Sequence, residues 1–239
     1  MHVELIDYTK NALEMLIYTK NTRLQNEWSF MDVLLMPHPE KMEIYEGMLD
    51  TIQSPFEFVD FTFILHGVSR SFTHQLVRTR NASYAQESMR AVKPTQGFYS
   101  ASDSVEHAQM KALESYSELI DIGMPYQDAR EVLPTGVKTS IMMKVNLREL
   151  GEMAEKRLCT RTAGEYQQVF KLMKEKVTTV YPFLESYIEV YCVKYGTCCF
   201  PRYTKCPVAK EVITISKERK SKIKQRWSET EHVADPSIR

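Results

Sequence analysis

The chain has 239 residues, 31 Lys plus Arg against 31 Asp plus Glu, a formal net charge of zero, and only 8 Gly. Neutrality argues against a duplex-DNA binder, which gains affinity by releasing counterions from phosphates onto a basic face. No G-x-G-x-x-G or G-x-x-x-x-G-K-[ST] occurs, so any phosphate must be held by side chains rather than by a glycine-rich backbone loop. The apolar and charged fractions, 43% and 26%, are those of a globular chain long enough for one sizeable core. No apolar run reaches membrane-spanning length, and the start Met1-His2-Val3-Glu4 lacks the layout of a secretory signal. A cytoplasmic, reducing location is the expectation, with no membrane or nucleic-acid partner.

In chain order, His2 to Ile6 alternates as a short strand. Thr9 suits the cap of a helix to about Tyr18, with Leu13, Leu16 and Ile17 inward. Pro39 suits the first turn of a second helix carrying Ile44, Tyr45, Met48, Leu49 and Ile52. Ser54-Pro55 breaks the pattern. Glu57 to Leu65 then reads as a strand with Val59, Phe61, Phe63 and Leu65 on one face, ended by Gly67. Ser69 is placed to cap a helix to about Arg80, on which Gln75 and Arg78 share a face. Asn81 to Phe98 has no period and reads as a loop. Asp103-x-x-Glu106 opens a helix to about Ile122 with Val105, Ala108, Ala112, Tyr116, Leu119 and Ile120 as its inner stripe, stopped by Gly123 and Pro125. A short helix precedes Pro134. Lys138 to Val145 is β-like, although its Met content leaves a helix open. Asn146-x-x-Glu149 and Thr162-x-x-Glu165 mark two more helix starts, the second carrying Tyr166, Val169, Phe170 and Met173 towards Pro182.

After about residue 190 the composition changes. Four of the five Cys (192, 198, 199 and 206) fall there, the fifth being Cys159, and Lys210 to Arg226 is basic. The C-x5-C-C-x6-C spacing lacks the paired knuckles of structural zinc, so reduced thiols and no metal are expected. The basic stretch reads as a solvated tail, with a phosphate-binding or partner-binding arm as the alternative. His66, His74 and His107 lack metal-site context. The domain reading is a catalytic body over 1–190 and a Cys-containing, basic extension over 191–239.

The chemistry concentrates in Ser69 to Arg90. This stretch holds Arg70, Arg78, Arg80 and Arg90 with Glu87 as its only acid, together with the hydroxyls of Ser83 and Ser88 and the aromatic face of Tyr84. Arginine forks donate paired charge-assisted hydrogen bonds to phosphate. Their order also carries a resemblance. Arg78-Thr79-Arg80, seven residues, then Ser88 resembles the R-H-R-x7-S signature of the flavin-dependent thymidylate synthases (ThyX). Asn81-Ala82-Ser83-Tyr84 and Ser88-x-Arg90 resemble the run that follows it. Ser54-Pro55-Phe56-Glu57-Phe58 is similar to the family's T-P-F-E-H, Ala129-Arg130-x-Val132-Leu133-Pro134 to A-R-x-x-L-P, and Val145-Asn146-Leu147-Arg148-Glu149-Leu150 to N-A-R-S-L. Arg157 falls at the Arg of N-L-R. The resemblance covers roughly residues 1–190.

What the resemblance implies is an α/β (α+β) fold, an antiparallel or mixed sheet flanked by helices, assembled as a homotetramer with FAD at subunit interfaces. The implied reaction converts dUMP to dTMP with methylene-tetrahydrofolate and, by way of FAD, a hydride from NADPH. Carried over by position, Gln75, Arg78, Gln86, Glu87, Ser88, the Met89 backbone, Arg90 and Gln167 would line the dUMP site. Ser54, Glu57, Arg78, Thr79, Arg80, Asn81, Glu155 and Arg157 would contact FAD, and Arg78, Ser88 and Gln167 carry the catalytic expectation. The chain departs from the pattern at Thr79, Ile52 and Phe58, which replace His, at Ser140, which replaces an Arg, at Glu155, which replaces an Asn, and at Met89. Two other outcomes therefore stand beside the main one. One is a flavoenzyme leaving another group, such as hydroxymethyl, at carbon 5 of a pyrimidine nucleotide. The other is a nucleotide- or flavin-binding module without the reaction.

Overall fold

The computed structural model describes residues 1–24, 27–90 and 96–200, together with 206 and 208. The basic stretch at Lys210–Arg226 lies outside the described residues. The order of elements is β1 (His2–Tyr8), α1 (Ala12–Arg23), α2 (Phe30–Leu35), α3 (His38–Met48), a 3-10 turn at Ser54–Phe58, β2 (Asp60–Ser69), α4 (Arg70–Leu76), β3 (Ala82–Gln86), α5 (Asp103–Asp121), α6 (Tyr126–Ala129), β4 (Lys138–Asn146), α7 (Leu147–Arg157), α8 (Gly164–Val180) and α9 (Tyr191–Tyr195). The four strands form one antiparallel sheet in the order β1-β2-β4-β3. The fold is α+β.

The alternation read in β2 sets the core. Val59, Phe61, Phe63 and Leu65 are fully buried, and Ile141, Met143 and Val145 of β4 lie beside them. The helices α1, α7 and α8 close this face with Leu16, Ile17, Leu147, Leu150, Val169, Phe170, Met173 and Val177. On the opposite face of β2 and β4 the residues are polar or half-exposed, and Lys144 Nζ meets Asp60 there at 3.0 Å. The period-2 pattern puts these two sets on opposite sides of the pleat.

Several boundaries differ from the sequence expectation. Gly67 does not end β2. It takes φ +65° in a bulge against β4, and the strand continues through Ser69. Thr9 does not cap α1. Its Oγ1 accepts from the Asp60 backbone N–H at 2.8 Å and its own N–H donates to the Asp60 carbonyl at 3.0 Å, extending the β1–β2 pairing, and the helix starts after a left-handed Asn11. A capping box from Ser29 to Asp32 starts α2, which the sequence reading missed. The cap of α5 is Ser102 rather than Asp103, and of its expected inner stripe only Tyr116 is buried, joined by Gln109. Thr162 does not cap α8; its hydroxyl donates to the Lys156 carbonyl at 2.7 Å. Lys138–Asn146 is a strand, which resolves the helix alternative.

Past residue 183 the chain still packs on the body. The Tyr187 ring stacks on Phe56 at 4.4 Å between centroids and lies against Gly151 of α7, where a Cβ would stand 2.6 Å from the ring.

One tie joins the sheet to α8. The buried Glu165 carboxylate accepts from the Ser69 backbone N–H at 2.6 Å and from the Ser69 hydroxyl at 2.5 Å, while Ser69 Oγ accepts from the Phe72 N–H at 3.0 Å as the cap of α4. Replacing Glu165 by Ala leaves a buried N–H without a partner, a cost of about 2–3 kcal/mol. The expected result is a thermal midpoint lower by on the order of 5–10 °C. An unchanged midpoint in calorimetry would show that this bond does not hold the two elements together.

Candidate active site

The arginine-rich stretch unfolds into three pieces around this tie. Ser69 starts α4, which ends at Leu76, earlier than the spacing predicts, because Val77 on the following turn is exposed. Arg78, Thr79 and Arg80 therefore form a turn, with both arginines exposed. Ala82–Gln86 then forms β3, the edge strand on β4, where the sequence reads as a loop. Tyr84 fixes the turn from below. Its hydroxyl lies 3.0 Å from both the Leu76 and the Thr79 carbonyls, and burial holds its ionisation well above the usual tyrosine range. Its ring belongs to the scaffold rather than to an open stacking surface.

Beyond β3 the chain gathers polar groups at one end of the sheet. The Glu87 N–H donates to the Ser140 carbonyl at 3.1 Å, and a Glu87 carboxylate oxygen accepts from the Ser140 N–H at 2.9 Å and from Thr139 Oγ1 at 3.3 Å. Gln96 Nε2 reaches the same carboxylate at 3.2 Å and Ser140 Oγ at 3.3 Å, and His66 Nδ1 is 3.3 Å from that hydroxyl. Arg70 Nη2 donates to the Glu87 carbonyl at 2.7 Å, yet its Nε is buried with no protein partner. Burial, with Arg130 close by, pulls the Arg70 guanidinium below its usual range. A buried donor without an acceptor is costly, and an anionic ligand would relieve it. Arg70, Thr139 and Gln96 are members of this cluster that the sequence roles omit. The concentration of four arginines in the segment was the only signal for Arg70.

The remaining expected residues divide between this cluster and a second region. Gln86 Nε2 donates to Thr73 Oγ1 at 3.0 Å and Ser88 Oγ accepts from the Arg90 N–H at 3.3 Å, so residues 86 to 90 continue directly from the Glu87 cluster; Gln75 is exposed near the end of α4. Gln167 stands apart, with its Nε2 donating to the Leu158 carbonyl at 3.0 Å. Nearby, the Arg157 guanidinium lies over the Tyr166 ring at 4.3 Å, and that ring meets Phe72 of α4 edge-on at 4.8 Å.

The second region holds two adjoining hollows that share Arg148 and Glu152. One, about 500 Å³, is lined by Glu57, Asn81, Asn146, Arg148, Glu149 and Glu152. The other, about 590 Å³, includes Gln53, Arg148, Glu155, Lys156, Tyr187 and Lys194. Asn81 Nδ2 donates to Glu149 at 2.9 Å, Arg148 pairs with Glu57 and Glu152, and Ser54 begins the 3-10 turn that carries Glu57. The departure at Glu155 is answered locally: Lys194 Nζ lies 2.7 Å from its carboxylate and the Tyr195 hydroxyl donates to it at 3.0 Å. Gln53 Oε1 is buried without a donor beside the larger hollow. An orphaned acceptor and the amide of Asn81 suit the polar edge of a flavin dinucleotide. The smaller hollow, with three carboxylates and one guanidinium, does not suit a pyrophosphate, whose charge must fall to Arg78, Arg80 or another chain.

The chain matches the family model described as thymidylate synthase complementing protein over residues 4–183. It is 34% identical to a flavin-dependent thymidylate synthase of Sulfurisphaera tokodaii over 81% of this chain and 79% of that one. It is 30% identical to that of Pyrococcus furiosus over 83% and 89%. Among solved structures, the Helicobacter pylori flavin-dependent thymidylate synthase complexed with FAD and dUMP shares the fold with a TM-score of 0.68 at 20% identity, over 79% of this chain and 100% of that one. A UMP/dUMP methylase of Streptomyces cacaoi shares it at 0.66 and 19%, over 78% and 93%. With the family model covering most of its length and a relative 34% identical over four fifths of it, the chain belongs to the flavin-dependent thymidylate synthase family.

Proposed function

We propose that this chain converts dUMP to dTMP, with FAD as its flavin, methylene-tetrahydrofolate as the one-carbon donor and NADPH as the hydride source. The observation that carries the reading is the end of the sheet around Glu87, where Arg70 keeps a buried, unpartnered donor and Ser88 and Arg90 follow on an exposed segment. A nucleotide monophosphate supplies the missing acceptors there.

In this reading dUMP lies along Gln75, Arg78, Gln86, Glu87, Ser88, the Met89 backbone and Arg90, while Gln167, which stands apart from them within one chain, reaches the ring from another copy of the tetramer. The Glu87 carboxylate is already oriented by the Ser140 N–H, so it meets the ligand without losing conformational freedom. FAD is held by Ser54, Glu57, Arg78, Thr79, Arg80, Asn81, Glu155 and Arg157, and when bound it supplies the hydride chemistry. Lys194 neutralises Glu155, so that residue faces the cofactor as a hydrogen-bond acceptor without net repulsion. Arg78, Ser88 and Gln167 are the residues expected at the reacting ring. A homotetramer is supported by two features: the mostly outward surface of α5, and the shortage of cations in the single-chain flavin hollow. The body over 1–190 would carry the reaction in the cytoplasm. No helix among the described residues is long and apolar enough to cross a membrane. Ser140, standing where the family has an Arg, favours one second reading, transfer to carbon 5 of another pyrimidine nucleotide or of a hydroxymethyl group.

The purified chain should bind FAD, shift its visible spectrum on adding dUMP, and form dTMP once both co-substrates are present. Flavin binding without dTMP, but with a modified product from another pyrimidine nucleotide, would select the second reading. Absence of flavin binding would sink both. Arg90→Ala should weaken dUMP binding roughly 10–100-fold, the worth of charge-assisted hydrogen bonds of about 1.5–3 kcal/mol. It should leave deoxyuridine binding nearly unchanged, and equal losses in calorimetric titrations would remove Arg90 from the phosphate site.

A further inference from the structure

The five cysteines do not group as their spacing in the sequence suggests. Cys199 is exposed and turned away from the others, while Cys159, 33 residues upstream of Cys192 at the α7–α8 junction, takes its place. Cys159, Cys192, Cys198 and Cys206 line one small pocket of about 40 Å³, with Leu158, Val190, Phe200 and Val208 as an apolar shell. None of the four is in a disulfide. The pocket also offers polar contacts to sulfur: Cys198 Sγ accepts from the Phe200 N–H at 3.3 Å and lies 3.5 Å from the Phe200 carbonyl, and Thr160 Oγ1 lies 3.6 Å from Cys206 Sγ.

The segment these thiols anchor has little else to hold it. Helix α9 is five residues long and buries none of them fully, and so short a helix has no stability of its own. It nevertheless sets Lys194 on Glu155 at 2.7 Å in the wall of the larger hollow.

We propose that Cys159, Cys192, Cys198 and Cys206 form a structural four-thiolate zinc site that staples the segment after residue 190 to the α7–α8 junction. Four soft ligands from three separate parts of the chain suit a closed tetrahedral ion. Among the described residues no three ligating groups stand at metal spacing, so the site forms only if the sulfurs close on the ion to about 2.3 Å. The binding free energy then becomes folding free energy for α9.

Protein prepared from zinc-containing medium without chelator should carry about one zinc per chain. Titrating the metal-stripped chain with cobalt(II) should give the intense visible spectrum of tetrahedral thiolate ligation. Cys159→Ser and Cys206→Ser should each cut metal content to less than half, and Cys199→Ser should leave it unchanged. Stripping the metal should expose the chain around α9 to limited proteolysis. Less than one zinc per two chains, a pale octahedral cobalt spectrum, or a disulfide seen by mass spectrometry in place of metal would overturn the site. So would retention of metal in Cys159→Ser with loss in Cys199→Ser. If Cys159→Ser fails to fold, Cys206→Ser and the cobalt titration of the unaltered chain still decide.

Discussion

The Glu165 carboxylate is the constraint on which the site rests. It is a buried acid from the first turn of α8, and it closes on the N–H and hydroxyl of the residue where β2 becomes α4. That junction fixes where α4 begins, hence where it ends, hence where Arg78 and Arg80 emerge. A carboxylate held by two donors and buried beside a helix N-terminus is stabilised both by those bonds and by the helix dipole. The sheet orders the core, but this ionic cap sets the direction in which the arginine turn leaves it. Tyr84 then fixes the turn from the next strand, so the exposed cations rest on a rigid base although their own side chains are free to meet a ligand.

Charge is neutral only as an average. Arg70 and Arg90 lie at the Ser140 end of β3 and Arg78 and Arg80 at its Asn81 end, while the hollow beside α7 collects Glu57, Glu149 and Glu152 around a single Arg148. With few glycines to make backbone cradles, the chain offers guanidinium groups to anions, and where Arg148 enters the acidic hollow it is balanced by Glu57 and Glu152. Glu155 follows the same rule, since its charge is answered by Lys194 from beyond the region matched by the family model.

Much of this was legible in the sequence. The β2 alternation, the caps at Ser69 and Asn146, the stop at Gly123 and the linked motifs all carry local signals with a physical cause, and each lies where the residue pattern puts it. Edge strand β3 was not legible, because Ala82, Ser83, Ala85 and Gln86 have neither the bulk nor the β-branching of a buried strand; it exists because β4 offers a free edge. Thr9 and Thr162 resemble caps, yet their hydroxyls serve other backbone groups, a choice made by tertiary contacts. The Glu87 cluster was legible at Glu87, Arg70 and Ser140 taken singly, but not as a cluster, since Thr139, Ser140 and Gln96 join it from 9 to 53 residues away. Cys159 likewise joins the tail thiols only in three dimensions.

Gly151 carries a consequence of its own. Its missing side chain is the notch in α7 that receives the Tyr187 ring, and that ring in turn covers Phe56 next to the turn bearing Glu57. A glycine inside a helix costs about 1 kcal/mol relative to alanine, so it persists where something occupies the notch. Position 151 and the Tyr187 ring are thus one packing unit: a side chain placed at 151 would push the ring off Phe56 and disturb the wall of the hollow that Tyr187 lines.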